Sequence, residues 1–475
     1  MDQRRGALEN DMSGLFGTLS TALSGLAASQ QELETSSNNV ANANTPGYSR
    51  EVADAEAGPP IVLNSLSIGT GVVLEQIQSL RDPILEIQLN QQTQQNNYLN
   101  SQLTQLQQIQ TGFSSSTSGI GADISNFFNS IQQLSPDPTN LSLRQSVLTG
   151  AGNLATDFNT AASNLETQRG DLDQNVVEDV GQINTLTSEI ASVDQQIGEL
   201  QASDQNADTL VDQQTSLIRQ LSSLVDVQVV PTDQGISVTT SNGTALVSGT
   251  QSFALSTQIG SDGVEHVMAG SQDITSTLTG GSLAGTIQIR DQEIPGILNQ
   301  LDELAAGFSN AVNEANAKGY ILSNSNPPTQ GGNIFTTPPP GVTGAAAAMQ
   351  VAITDPSLIA ASSDGTQGSN GNLTNLANVA NEQVANGNTP INAYSNLVFQ
   401  IGSTTSNTSA DADASGQILQ QLQDERGSIS GVSLNEEAAN MVQYQSAYQA
   451  AARVVSTVNN LLLDAVNLGM DSAED

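Results

Sequence analysis

Apolar side chains recur at every seventh position near the start of the chain. The repeat consists of Met12, Leu19, Leu26, Leu33 and Val40, with Leu15, Ala22, Phe16 and Leu23 beside it. A seven-residue spacing is typical of a helix that packs lengthwise against another helix, as in a coiled coil. We therefore predict a helix over residues 12–40 with an apolar stripe along one side.

A second stripe lies near the other end of the chain. It consists of Met441, Tyr448, Val455 and Leu462, accompanied three residues later by Tyr444, Ala451, Val458 and Ala465. The pattern predicts a last helix over residues 434–468. Because both stripes need an apolar partner and carry few charges, we expect the first and last helices to pack against each other.

Between these ends the period of the pattern changes twice. Apolar residues follow helical spacing through most of residues 83–224, and the clearest heptad there is Ile183, Ile190 and Ile197. From about residue 225 to 289 the spacing becomes two, with turn sequences at 233–235, 241–243 and 261–263 that indicate hairpins. Helical spacing returns at 294–312. The chain is thus predicted to be mainly α with an inserted β-rich domain.

These changes divide the chain into four predicted parts. The first is a disordered leader at residues 1–11, with Met12 as the alternative start of translation. The second is an inner assembly domain of terminal helices at 12–60 plus 431–475, which form a coiled-coil-like core. The third is a helical rod domain at 61–224 plus 290–320 and 372–430, and the fourth is an outer β-rich domain at 225–289 plus 321–371.

Composition narrows the classes of partner and site. The 475 residues include 48 acidic and 11 basic ones, so the net charge of −37 opposes binding to nucleic acid or to an anionic membrane surface. There is no cysteine, which excludes thiolate nucleophiles, cysteine zinc sites and disulfides. We find no apolar run long enough to span a bilayer and expect no membrane insertion.

Candidate catalytic groups are few. The single histidine, His266, alternates with apolar residues and is predicted to lie on the exposed face of a strand, and the single lysine, Lys318, follows no P-loop glycine pattern. Asp411 and Asp413 lack the Gly-Glu frame of a calcium loop, and we interpret them as part of a solvated loop. We predict no enzyme activity, no cofactor and no metal.

The chain after the first helix carries a specific motif. In Thr45-Pro46-Gly47-Tyr48, Pro46 and Gly47 suit the two central positions of a type II turn, so the helix must end before it. Residues 36–48, SSNNVANANTPGY, resemble the amino-terminal signature of the bacterial flagellar axial proteins, the rod, hook and hook-associated subunits.

The carboxyl end narrows this resemblance. Residues 431–440 and 444–450 are more similar to hook-associated proteins of the first hook–filament junction type than to hook or rod subunits. Internal stretches at 81–83, 225–230 and 355–362 are similar to the same proteins. The resemblance spans residues 12 to about 468.

The resemblance implies a structural subunit that is exported through the flagellar type III apparatus and assembles outside the cell. It implies homo-oligomerisation in a ring or helical layer, with the hook protein below, a second junction protein and flagellin above, and an export chaperone. Together with the stripes it assigns the assembly interface to Met12, Leu15, Leu19, Leu26, Leu33, Asn38, Asn39, Asn42, Asn44, Pro46, Gly47, Tyr48, Leu434, Met441, Tyr444, Tyr448, Ala451, Val455, Val458 and Leu462.

Two alternatives stay open from the sequence. Another axial subunit, of the hook or the distal rod, would share the motif at residues 42–48, but the long helical region at 83–224 argues against it. A secreted coiled-coil surface protein would share only the two stripes.

Overall fold

The computed structural model describes residues 2–63, 66–113, 119–203, 205–233, 235–336 and 343–471. Ten α-helices run through this part of the chain: α1 Asp2–Asn42, α2 Pro83–Phe113, α3 Ile120–Leu134, α4 Leu141–Gln201, α5 Asp208–Leu224, α6 Gly281–Gln288, α7 Ile294–Ala317, α8 Gly371–Asn378, α9 Pro390–Ser430 and α10 Leu434–Asp471.

The strands of the described residues are short and all pair antiparallel. They are β1 Glu51–Ala57, β2 Ile61–Leu63, β3 Leu66–Ile68, β4 Val72–Ser79, β5 Gln228–Thr232, β6 Gly235–Thr239, β7 Ala245–Ser248, β8 Gln251–Ser252, β9 Leu255–Ile259, β10 Glu265–Ala269, β11 Gln272–Asp273, β12 Phe335–Thr336 and β13 Gln350–Val351. The sheets follow the orders β1-β4, β2-β3, β5-β6-β7-β8, β9-β10-β11 and β12-β13.

Two of the long helices, α2 and α4, begin where the sequence supplies a side-chain cap. The Asp82 side chain accepts hydrogen bonds from the N–H groups of Ile84 and Leu85 at 2.9 and 3.2 Å, and Pro83 occupies the first helical position of α2. The Asn140 side chain caps α4 in the same way. Within the predicted helical region at 83–224, α4 alone is one helix of 61 residues.

The terminal helices lie together with the first sheet. Helix α1 packs along α10 and against β1 and β4. The boundary predicted at residue 60 falls within one sheet, because β1 pairs with β4 from Glu51↔Ser79 to Ala57↔Val72 and both strands contact α1. The predicted leader also differs, since α1 is helical from Asp2 and residues 2–11 contain no proline to stop it.

One apolar core, which we call the distal core, lies at the end of the helical region that is farther from α1 and α10. It joins α3, α7, α8, the first part of α4 and the ends of α2 and α9 that adjoin them. Four phenylalanine rings contact each other at its centre, with centroids 5.4 to 6.0 Å apart: Phe127, Phe128, Phe308 and Phe335. Such edge-to-face pairs stabilise a core beyond the area they bury.

A second core lies under the two larger sheets. The second part of α4, from Val176 to Ile197, packs with α5, α6 and strands β5 to β10. The predicted hairpins at 241–243 and 261–263 are present, with Gly243 and Gly263 at φ +88° and +82°, while Gln234 of the third turn lies outside the described residues.

Two expectations about the β region are wrong. Residues 281–288 form a helix, because Leu283 and Ile287 are four residues apart and are both buried on one side. The described parts of 321–371, residues 321–336 and 343–371, do not join the 225–289 sheets, since Ile334, Met349 and Ile359 are buried in the distal core with α7 and α8. The inserted β-rich unit is therefore smaller than predicted.

Candidate assembly site

The two predicted stripes lie along the α1–α10 contact. On α10 the partly or fully buried positions are Met441, Tyr444, Ala451, Val455, Val458 and Leu462, with Tyr448 at the margin. On α1 they include Leu15, Leu19, Ala22, Leu26 and Leu33. Val458 and Ala22 are 5 % and 8 % exposed. Within one chain, the stripes thus contribute mainly to packing between the first and last helices.

Two predicted positions are largely exposed, and a third is not described. Leu434 is the first residue of α10 and is 54 % exposed, and Val40, the last member of the first stripe, is 38 % exposed. Met12 lies on α1, outside the residues whose side chains the structure describes.

Large apolar side chains on the outer faces of these helices are exposed in the part of the chain that the structure describes. Phe16 and Leu23, seven residues apart on α1, are 53 % and 48 % exposed. On α10 the exposed ones are Val442, Val454, Leu461, Leu463 and Val466. Sequence analysis placed Phe16 and Leu23 beside the stripe without assigning them a role, because a stripe predicts a buried side and does not show which flanking side chains stay free.

The predicted type II turn follows α1. The Tyr48 N–H donates to the Thr45 carbonyl at 3.2 Å, and Gly47 adopts φ +86° at the third position of the turn. A side chain other than glycine would be strained there. The Arg426 guanidinium donates to the Gly47 carbonyl at 3.1 Å and so connects the turn to α9.

Asn39 organises the chain around this turn. Its Nδ2 donates to the Glu51 carbonyl at 2.8 Å, and its Oδ1 accepts from the Glu51 N–H at 2.9 Å and from the Tyr48 hydroxyl at 2.9 Å. The side chain is 1 % exposed. One amide therefore fixes the last turn of α1 against the start of β1.

The other predicted asparagines make local contacts or face solvent. Asn42 donates to the backbone and side-chain oxygens of Asn38 at 3.1 and 3.2 Å, and accepts from the Thr45 hydroxyl. Asn44 and Pro46 are exposed. These residues therefore shape the helix end and leave its polar surface accessible.

An ion pair joins the two ends of the chain. Arg50 contacts Glu437 at 2.8 Å and Glu436 at 2.9 Å, both in the first turn of α10. The Ser36 hydroxyl of α1 donates to the other Glu437 oxygen at 2.6 Å. Glu437 is 1 % exposed, so the acidic end of this ion pair is buried.

A second set of ion pairs attaches the turn to the helical region. Asp212 of α5 accepts from the Ser49 N–H at 2.8 Å and from Arg81 Nε at 3.0 Å. Glu86 of α2 accepts from both Arg219 and Arg426, at 2.7 and 2.6 Å.

Four of the ten arginines of the chain, Arg50, Arg81, Arg219 and Arg426, lie in these two sets of ion pairs. We call these four arginines, together with their acidic partners, the arginine joint. Sequence analysis missed the joint, although the scarcity of basic residues was a signal that each arginine has a specific acidic partner.

The joint is rich in carboxylates, and this affects two pKa values. Burial raises the pKa of the Tyr48 hydroxyl far above its ordinary value, and the nearby Glu51 and Asp212 carboxylates add to the rise. Burial and the Asp208 carboxylate raise the pKa of Glu51. Tyr48 is therefore neutral at physiological pH and keeps the proton that it donates to Asn39.

The candidate catalytic residues stand apart from one another. His266 lies on β10 between Asp262 and Asp273, Lys318 is exposed after α7, and no group of three His, Cys, Asp or Glu side chains among the described residues could hold a metal. Asp411 and Asp413 lie on α9 and not in a loop, so the solvated-loop prediction is wrong. Because they are two residues apart on a helix, their side chains point in different directions.

None of the helices in the described residues is long and apolar enough to cross a membrane.

Three family models match successive parts of the chain. Residues 19–48 match the flagella basal body rod protein, residues 106–335 match the flagellar hook-associated protein FlgK helical domain, and residues 427–468 match the flagellar basal body rod FlgEFG protein C-terminal region. The two terminal matches cover most of α1 and α10. They support association of this chain with other axial components of the flagellum.

Whole-chain comparisons agree with these matches. Flagellar hook-associated protein 1 of Bacillus subtilis is 30 % identical, over 97 % of this chain and 99 % of the relative. The protein of the same name in Escherichia coli is 25 % identical, over 95 % and 99 %. A solved structure of the flagellar hook junction protein FlgK from Burkholderia pseudomallei has the same fold, with a TM-score of 0.65 and 20 % identity over 72 % of this chain and all of that one. The chain belongs to the family of flagellar hook-associated protein 1, structural proteins of the bacterial flagellum.

Proposed function

We propose that this chain forms the junction between the hook and the filament by polymerising through α1 and α10. The observation that carries the proposal is the exposed apolar surface on these helices, where Phe16, Leu23, Val442 and Leu461 are each close to half exposed or more. Side chains of this size on two adjacent helices favour contact with another protein surface. Helices α1 and α10 match family models of other axial proteins, which supports axial proteins as the partners.

The arginine joint gives this surface a fixed base. Arg50 and Arg426 hold the turn after α1 against the first turn of α10 and the end of α9. The inner helices therefore leave the helical region in one defined direction. A subunit that adds to a tube needs this, because each copy must present the same surface to the next one.

The position of the junction determines which individual proteins are its neighbours. The hook protein lies below the layer, a second junction protein and flagellin lie above it, and copies of this chain lie beside one another. The chain reaches this place by export through the flagellar type III apparatus with an export chaperone. The predicted interface residues at 38–48 serve in the proposal to orient the inner helices.

Deletion of the gene tests the proposal. Electron microscopy should then show hooks without filaments, and flagellin should accumulate in the medium. Expression of the wild-type chain from a plasmid should restore the filaments. Normal filaments on the deletion strain would contradict the proposal.

A further inference from the structure

Phe399 is the most exposed large apolar side chain among the residues that the structure describes. It lies on α9 and is 75 % exposed. Its neighbours on the helix, Leu397 and Ile401, are 2 % and 3 % exposed, because they face the distal core. A residue two positions from each of them lies on the opposite side of the helix, so Phe399 points directly away from the molecule.

An apolar cleft, which could accept an apolar side chain such as that of Phe399, lies on the other side of the helical layer. It has a volume of about 260 Å³ and lies between α2 and α4. Its floor is apolar, with Ile109, Phe113 and Leu165 at 3 %, 6 % and 2 % exposure. A cavity of about 150 Å³ is enough for a benzene ring, so the cleft has room for a phenylalanine side chain.

The opening of the cleft includes Gly112. Among the described residues, a Cβ atom built on Gly112 has no atom within 4 Å apart from its own helix backbone, so this part of the cleft has space for a side chain. The side of α2 that carries Gln108 and Gly112 is opposite the side that carries Gln92 and Asn96, which hydrogen-bond α9. Phe399 and the cleft therefore face opposite directions across the α2–α9 pair.

Phe399 and the cleft lie at the same level along the axis of the α2–α9 pair. Helices α2 and α9 are antiparallel: Gln92 donates to the Ser415 carbonyl at 3.0 Å, and at the other end the Tyr394 hydroxyl donates to the Phe113 carbonyl at 3.2 Å. This register places Phe399 level with Gln108, which lines the cleft. Two copies placed side by side, without a shift along this axis, would bring Phe399 of one copy to the cleft of the next.

Charge favours a second copy at this surface. With a net charge of −37, neighbouring copies repel each other, and close contact is least costly where acidic residues are absent. Residues 87–122, which contain most of α2, and residues 383–410, which contain Phe399, have no charged side chain. Asp171 is the acidic residue at the cleft.

From these observations we propose that Phe399 of one copy inserts into the Gly112 cleft of its neighbour and forms a lateral contact within the junction layer. The inference rests on the proposed function, because it takes the neighbour to be a second copy of this chain. The contact is heterologous, with different surfaces on the two sides, so it can repeat around a ring or along a helix instead of closing as a dimer.

Cysteine crosslinking tests the contact, since the wild-type chain contains no cysteine. Flagella would be isolated from cells whose only copy carries F399C and G112C, treated with a short bismaleimide, and blotted for this chain. We expect a ladder of dimers, trimers and higher multimers, and no ladder from either single-cysteine variant. The pair I418C and G112C is the matched control, because Ile418 lies 19 positions further along α9, roughly 28 Å away.

The outcomes separate the inference from the proposed function. If the chain is present in the flagella and F399C with G112C gives no ladder, the lateral contact is wrong and the junction function stands. A wild-type chain absent from the flagella would overturn both. Two further variants, F399A and G112L, remove the ring and fill the cleft; each should fold, since Phe399 is exposed and Gly112 has space, and each should reduce filament number in the deletion strain. Normal filament numbers with both variants would also overturn the contact.

Discussion

Asn39 binds the backbone of Glu51 with both ends of its side-chain amide. The Glu51 N–H donates to Asn39 Oδ1 at 2.9 Å, and Asn39 Nδ2 donates to the Glu51 carbonyl at 2.8 Å. This pairing has the form of a backbone strand pair, with a side chain in place of one strand. It connects the end of α1 to β1, and through β1 to β4, so the orientation of the inner helices depends on it.

The variant N39D tests this role. Aspartate keeps the shape but replaces the donating amide with a carboxylate, which leaves the Glu51 carbonyl unsatisfied and adds a charge beside Glu51. Loss of a buried partner costs about 1–3 kcal/mol, and local opening should rise by roughly 5- to 150-fold. Protease cleavage of the native protein near residues 39–51 measures this. The exposed neighbour N44D is the control, and equal cleavage of both variants would contradict the role of Asn39.

The variant R50M tests the ion pair that joins the ends of the chain. Methionine keeps most of the side-chain length but leaves the buried Glu437 carboxylate with the Ser36 hydroxyl alone. Removing one partner of a buried pair costs about 3 kcal/mol. We expect the start of α10 to exchange its amide hydrogens much faster. R169M, which breaks an exposed ion pair at 3.9 Å, should change stability by less than about 0.5 kcal/mol. Unchanged exchange in R50M would show that the pair does not hold α10.

Two glycine substitutions should act with opposite sign. G47A places a Cβ at φ +86° and should destabilise the protein by about 1–2 kcal/mol. G181A lies in the middle of α4, where nothing lies within 4 Å of the added Cβ, and should stabilise it by roughly 0.5–1 kcal/mol. Urea denaturation followed by circular dichroism measures both. A stabilising G47A would contradict the assigned turn.

His266 should titrate above the ordinary range. Its Nδ1 lies 2.6 Å from Asp273 and its Nε2 lies 3.1 Å from Asp262, and hydrogen bonding to Asp273 is the largest cause that raises its pKa. The Asp273 carboxyl has its pKa lowered to about 2, first by the Thr275 hydroxyl and also by His266. As the single histidine, it gives one imidazole signal in an NMR titration.

The sign of the effect follows from these directions. Because the pKa of His266 is higher in the folded protein, its contribution to stability is complete below the unfolded value near 6.5 and is lost as the pH rises through the folded value. The contribution of Asp273 is present above about pH 4 and is lost as the pH falls toward 2. D273N should lower the pKa of His266 more than D262N does. A histidine pKa at or below 6.5 in the wild-type chain would contradict the geometry.

Much of this architecture follows from periodic patterns. The helices of the rod and the two terminal stripes are predictable because each stripe repeats over several turns, and Val458 and Ala22 are buried where the stripes place them. The turn at residues 45–48 is predictable from proline and glycine chemistry, and its hydrogen bond and the φ of Gly47 confirm it.

Long-range polar contacts are not predictable in the same way. Ser36 and Glu437 are 401 positions apart, and no local rule selects Glu437 from 48 acidic residues as the partner of Arg50. Single residues also escape a periodic analysis. Phe399 lies in a stretch without a strong stripe, and only its exposure in the folded chain distinguishes it from the core phenylalanines.

If the exposed apolar side chains of α1 and α10 assemble the junction, polar replacements on these helices should prevent it. The variant L23Q with L461Q replaces two side chains that are each 48 % exposed, and S20Q with N460Q changes exposed polar neighbours on the same helices. The measurement is the fraction of hooks that carry filaments, counted by electron microscopy in the deletion strain. We expect bare hooks for L23Q with L461Q and filaments for S20Q with N460Q. Normal filaments in both strains would show that these side chains do not assemble the junction.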